Sequence, residues 1–209
     1  MFSKGKNIVM AGFYGPIIFA LIILIAGYMY PNYSHVNQVI SDLGAVDSPV
    51  KDFMNFAGFM LFGLSVMAFA VGVYKIRKTN LGKIISALFF IGGLSMFLVG
   101  VFPSDAPCPQ GPRFCPPPTA TSGLHELATV GQFPFLFAAF ILLVVDTRNE
   151  KSMKYYFAVA GVMGLLIAYF ANMWINADSN ILVGVNQRVT LGLYSLLLMY
   201  TAWKLSKLK

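Results

Sequence analysis

Two histidines occur in this chain, His35 with Asp42 seven positions on, and His125 with Glu126 beside it and Asp105 twenty positions before. An imidazole titrates near neutral pH and can serve as a general base when a neighbour orients it. His125, Asp105 and Asp42 are therefore the candidate catalytic set, with Asp105 or Glu126 orienting the ring. The same chemistry allows a second use. His35, His125, Asp42 and Asp105 could bind zinc, because three such ligands leave a position for water. Arg188 offers a planar fork to an anionic headgroup or phosphate, and Ser41, His35 and Glu126 complete the candidate binding residues. No H-E-x-x-H, G-x-S-x-G or other complete catalytic signature is present. Cys108 and Cys115 are the only cysteines and lie among prolines. Their spacing is not that of a C-x-x-C metal knuckle or redox pair, and a disulfide closing a short loop is expected.

The elements that must hold these residues are membrane helices. The chain of 209 residues is 57% hydrophobic and 11% charged, with a mean hydropathy of +0.71. A water-exposed surface needs roughly twice that charge. Crossing a bilayer takes about 20 apolar residues in a helix, and six stretches qualify: about 8–30, 53–74, 84–102, 124–145, 155–175 and 181–203. The fold class expected is an all-α integral membrane protein with one six-helix domain over 1–209. The apolar run after Lys6 is too long for a signal peptide and lacks a small-x-small cleavage site before Tyr30 and Pro31, so the first span should be retained.

Orientation follows from Lys and Arg near the span ends. Lys4, Lys6, Lys75, Arg77, Lys78, Lys83, Arg148, Lys151, Lys154, Lys204, Lys207 and Lys209 fall on one side, and only Lys51, Arg113 and Arg188 on the other. The crowded side is read as cytoplasmic, which places both termini there, in a cell membrane. The net charge of +7 and pI near 9.4 are thus a topology signal. No basic stripe with interleaved aromatics points to nucleic acid.

Most acids and both histidines collect on the outer side. In the first outer loop, Val36, Val39, Ile40 and Leu43 recur at helical spacing between Ser34, which can serve as an N-cap, and Gly44. A short amphipathic helix lying in the interface is expected there. Span four should start at Ser122 as its cap, and span six near Asp178 or Ser179. Arg188 would then lie roughly 12–14 Å along that helix, where an unpaired guanidinium is costly. Asp42, Asp105 and Glu126 are its expected partners.

The segments Ser34 to Ala45 (SHVNQVISDLGA), Phe102-Pro103-Ser104-Asp105, His125 at the start of span four and Gly184-Val185-Asn186-Gln187-Arg188 resemble the pattern of domain-of-unknown-function 998. The resemblance covers essentially the whole chain. It implies a six-span bacterial or archaeal membrane protein of unsettled activity, with Ser41, Asp42, Gly44, Pro103, Asp105, His125 and Arg188 as shared positions. Three functional readings stay open. The outer site could bind or handle a lipid headgroup or small anion, in a protein whose partners are membrane lipids. It could be the site of a hydrolase using His and Asp, with or without zinc. It could also be only an Arg–carboxylate clamp in a structural or accessory protein. The spans are almost purely apolar toward the cytoplasmic side, which argues against an aqueous pathway.

Overall fold

In the computed structural model, residues 4–107, 118–175 and 182–208 are described. They form helices joined by short turns, with no strand among them. We number the long helices α1 (Gly5–Met29), α2 (Lys51–Ile76), α3 (Asn80–Val101), α4 (Ala120–Thr147), α5 (Tyr156–Ile175) and α6 (Val183–Ser206). The first five are long and apolar enough to cross a membrane, α5 being counted with the turn that leads into it. The sixth has 24 residues but carries Asn186, Gln187, Arg188 and Thr190 in its first turns, which lowers its mean hydropathy. Leu21, Leu24, Leu165 and Ile141 are among many large apolar side chains left exposed, at 54%, 60%, 75% and 63%. A surface of this kind requires lipid rather than water.

The helices alternate in direction. At one end Lys6 donates to the Leu208 carbonyl, Lys204 to the Ser152 carbonyl, and Arg77 binds Asp146 and Glu150. This is the basic end. At the opposite end the loop after α1 meets the start of α6, and the segment after α3 meets the start of α4. That end holds the candidate residues and is called the site end below.

Packing runs in the order α4–α3–α2–α1–α6–α5, and α5 returns to α4 with only light contact. The α2–α3 seam is the tightest. A Cβ on Gly63 would come within 2.4 Å of the Phe97 nitrogen, and one on Gly93 within 2.8 Å of the Met67 nitrogen. Small residues let backbones approach in this way. Phe69, Phe89, Ile85 and Leu143 fill the interior at 0% exposure. By contrast only 6% of the most apolar stretch through α5 is buried, so the seam between α4 and the α5–α6 pair stays open.

The basic end is closed by charge. Arg77 Nε donates to Asp146 Oδ2 at 2.6 Å, Nη1 to Glu150 Oε1 at 2.8 Å and Nη2 to the Asp146 carbonyl at 2.9 Å. Thr79 Oγ1 donates to Asp146 Oδ1 at 2.9 Å. The two acids that depart from the outward bias of the others are thus the partners of the arginine that ends α2.

Two local expectations change. Residues 34–44 do not form an α-helix lying in the interface. Ser34 caps one turn, its Oγ accepting from Asn37 N–H at 3.3 Å. The Ile40 N–H then donates to Gln187 Oε1 instead of continuing the helix, and a 3-10 helix, Ile40–Gly44, follows. Side chains competing for backbone groups break the helix, and Ile40 and Leu43 turn inward at 1% and 0% exposure. The cap of α4 is Thr119, whose side chain accepts from Ser122 N–H at 3.2 Å. Ser122 instead accepts the Asp105 N–H. Cys108, Cys115, Asp178 and Ser179 lie outside the described residues.

Candidate functional site

The site end is built by four segments that grip one another. From α6, the Val185 N–H donates to the Val36 carbonyl at 3.2 Å, and Gln187 takes the Ile40 N–H. From α2, Asn55 Nδ2 donates to the Gly44 carbonyl at 3.0 Å. From the segment after α3, Ser104 Oγ donates to the Ser41 carbonyl at 3.2 Å, while the Ser104 carbonyl accepts Val46 N–H at 3.0 Å. Gly184 is required for the close approach. A Cβ there would sit 2.3 Å from the Gln38 carbonyl oxygen. Ser41 is therefore held from three sides, although it lies in a loop.

His125 meets Ser41 directly. It lies on α4, 3% exposed, with Nδ1 2.7 Å from the Phe102 carbonyl and 3.2 Å from the Val99 carbonyl. Carbonyls only accept, so Nδ1 carries the hydrogen. Nε2 is then the unprotonated nitrogen, and Ser41 Oγ–H donates to it at 3.0 Å. Backbone carbonyls orient the ring, in place of the Asp105 or Glu126 carboxylate expected from the sequence.

Asp105 has a different occupation. Its carboxylate accepts the Thr119 N–H at 2.8 Å and the Thr119 hydroxyl at 2.7 Å, and these bonds hold it below the usual carboxylate range. It fastens the start of α4. Asp42, half-buried beside Ser41, is pushed up to about 6, chiefly by burial, against the pull of a Val39 backbone hydrogen bond and the Arg188 charge.

These residues line one cleft of about 560 Å³ between α4 and the α5–α6 side. Ser41, Asp42, Asp105, His125 and Glu126 contribute to its wall, with Trp174 from α5 and Gln187 from α6 opposite. The Thr129 hydroxyl, one turn beyond His125, is buried in the same lining without a hydrogen-bond partner. Among the described residues the lining includes three acids and neither Lys nor Arg.

Arg188 and His35 belong elsewhere. They stand at the head of a second cleft of about 730 Å³ between α1 and α6, whose walls, including Phe19, Leu24 and Leu191, are otherwise almost wholly apolar. Because α6 begins at Val183, Arg188 lies about 7–8 Å along it, shallower than the sequence suggested. No carboxylate among the described residues pairs with it. Its Nη1 donates to the Gln38 carbonyl at 2.7 Å and the Gly184 carbonyl at 3.0 Å, and its Nη2 donates to Tyr33 Oη. The Tyr33 hydroxyl passes on its own hydrogen to the Val39 carbonyl at 2.7 Å, and burial pushes that phenol up to about 12. His35 packs edge-on to Tyr33, and burial followed by the Arg188 charge lowers its basicity.

The expectation of one centre joining His35, Asp42, Asp105, His125 and Arg188 is therefore corrected to two clefts separated by the docked loop. The zinc set is divided by the same separation. Among the described residues no three His, Cys, Asp or Glu side chains come together as a metal-binding group. Ser41 was legible only as a binding residue. Its pairing with His125 spans 84 positions in the chain, and no local spacing announces it.

The profile of the family described as protein of unknown function (DUF998) matches residues 13–204. An alignment 155 positions long, covering 67% of the chain, is 30% identical to NADH-quinone oxidoreductase subunit N of Salinibacter ruber. That alignment covers 29% of the relative, so the chain spans less than a third of its length. No solved structure matches.

Proposed function

The chain belongs to the DUF998 family, and we propose that it crosses a cell membrane six times, both termini in the cytoplasm, and takes the polar end of a membrane lipid into its outward cleft. The carrying observation is a polar cleft set at the head of a loosely packed seam of the bundle. Below it the α4–α5 seam holds an apolar cleft of about 460 Å³ lined by Phe140, Val144, Gly161 and Leu165. Polar groups near the end of a span with apolar walls beneath suit an amphiphile whose chain stays in the bilayer.

The sixth crossing is supported by α6 packing against both α1 and α5, with its polar first turns engaged by the loop. Orientation rests on the excess of Lys and Arg at the basic end. A small anion is disfavoured, because Asp42, Asp105 and Glu126 line the cleft while Arg188 is committed to carbonyls and Tyr33 on the other side. Arg188 is read as the clamp of the loop, and the ligand as a neutral or cationic lipid.

The test is extraction and mass spectrometry of lipids retained by protein purified in lipid nanodiscs, compared with Val130→Trp, which fills the cleft wall. Selective retention of a neutral or cationic lipid by the wild type and its loss in the variant is expected. Equal retention in both would overturn the reading. A quinone, named in the description of the Salinibacter relative, is among the neutral lipids this extraction would report.

A further inference from the structure

We infer that Ser41 is a nucleophile and His125 its general base, and that the cleft cleaves a carboxylic ester of a neutral lipid. This rests on the lipid-binding reading and adds chemistry to it. A serine hydroxyl is a weak nucleophile until an adjacent base takes its proton, and that pair must lie within hydrogen-bond reach. Here Oγ and Nε2 are 3.0 Å apart, and both side chains line the cleft.

The third element of such a constellation fixes the imidazole with its basic nitrogen toward the serine. A carboxylate usually does this, but the requirement is an acceptor at Nδ1. The Phe102 and Val99 carbonyls supply two. They also leave the ring no freedom to flip without forfeiting both bonds. Ser41 itself is held by Ser104, and its 3-10 helix is anchored through Asn55 and Gln187, so the pair is preorganised on both sides.

The proposed step balances as follows. Ser41 Oγ attacks the ester carbonyl carbon while its proton passes to His125 Nε2. The tetrahedral intermediate collapses, the bond to the alcohol oxygen breaks, and the imidazolium gives that oxygen its proton. Water then attacks the acyl-serine, losing a proton to Nε2, and the regenerated Ser41 hydroxyl takes that proton back. One ester and one water become one carboxylic acid and one alcohol. The donor available to the developing oxyanion is the Thr129 hydroxyl, on the same face of α4 one turn from His125 and buried without a partner.

The charge of the lining selects the substrate class. Phosphoryl chemistry needs cations to neutralise the transferring group, and among the described residues the charged groups of the cleft are Asp42, Asp105 and Glu126. A neutral acyl ester has no such need.

The test uses the full chain in phosphatidylcholine nanodiscs with three readouts: a fluorophosphonate probe mapped by mass spectrometry, hydrolysis of p-nitrophenyl esters of increasing acyl length, and retention of a dialkyl glycerol ether that cannot be hydrolysed. An adduct on Ser41 is expected, with hydrolysis lost at least a hundredfold in Ser41→Ala and in His125→Gln. Thr129→Val should lower kcat more than it changes KM. The adduct needs no variant, so it stands even if a substitution unfolds the protein. No adduct on Ser41, or hydrolysis that persists in Ser41→Ala, overturns the inference. If the ether is still retained in that case, lipid binding survives alone. If the ether is not retained either, the underlying reading fails as well.

Discussion

Replacing Asp42 with Asn should make the protein more stable at neutral pH and remove most of its stability change between mildly acid and neutral conditions. In the folded chain the Asp42 carboxyl titrates near about 6 rather than its ordinary 3.8, chiefly because burial disfavours the charged form. The native state therefore holds that proton more tightly than the unfolded chain does. Below about pH 4 both states are protonated and the group imposes no penalty. As the pH rises, the unfolded chain ionises first, and stability falls until the pH passes the folded value. A displacement from 3.8 to about 6 corresponds to about 3 kcal/mol, at about 1.4 kcal/mol per pH unit. The substituted amide cannot ionise, yet keeps an oxygen for the Val39 backbone. The variant should match the wild type near pH 4 and exceed it by up to about 3 kcal/mol at about pH 7.5, which is roughly 6–12 °C in Tm for a chain of this size. Thermal unfolding of both proteins in the same detergent at half-unit pH steps measures this. A variant less stable than the wild type at neutral pH, with the gap closing toward acid, would refute the reasoning, since it would mean that Arg188 stabilises the Asp42 carboxylate more than burial penalises it.

At the basic end, Asp146→Asn should lower stability by about 2–4 kcal/mol, because it leaves the Arg77 guanidinium short of its main counter-charge in a mostly buried position; chemical denaturation in detergent reads this. Arg188→Lys should loosen residues 33–40, since a single ammonium cannot bond Tyr33 and the Gln38 carbonyl in the geometry of the fork. Faster amide exchange confined to that loop is the expected result. Gly184→Ala should cost about 1–3 kcal/mol through its clash with the Gln38 backbone. Gly192→Ala on the same helix meets nothing within 4 Å and should leave Tm nearly unchanged.

Long apolar runs announce helices because a bilayer leaves the backbone no other partner, so the course of the chain was readable before any coordinates. The gathering of Asp42, Asp105, Glu126 and both histidines at one end is legible in the sequence too, since acids do little to set topology. What sequence could not reveal was how that group divides. Charge suggests Asp42, Asp105 or Glu126 as partners of Arg188, yet two backbone carbonyls and a phenol take its Nη1 and Nη2 hydrogens while Nε is buried without a partner. Asp105 was assigned to the histidine by proximity of type, but Thr119 reaches it first. The Ser41–His125 pair depends on loop docking by α6, and no spacing within either segment encodes that docking. Helix limits near caps shifted for a similar reason: Thr119 and Ser122 are both good caps, and the Asp105 carboxylate decided between them.

Besides Asn55 and Ser104, the loop that carries Ser41 is held by Val185, Gln187 and Arg188, all supplied by α6. During synthesis His125 and the Phe102 carbonyl are therefore in place well before their partner serine is fixed. Without α6 the loop would keep its bonds to Asn55 and Ser104 but lose those that fix residues 36–40. The docking of this loop is thus complete only once α6 is present. The same dependence makes the start of α6 a place where a change, though distant in sequence from His125, would shift the serine that faces it.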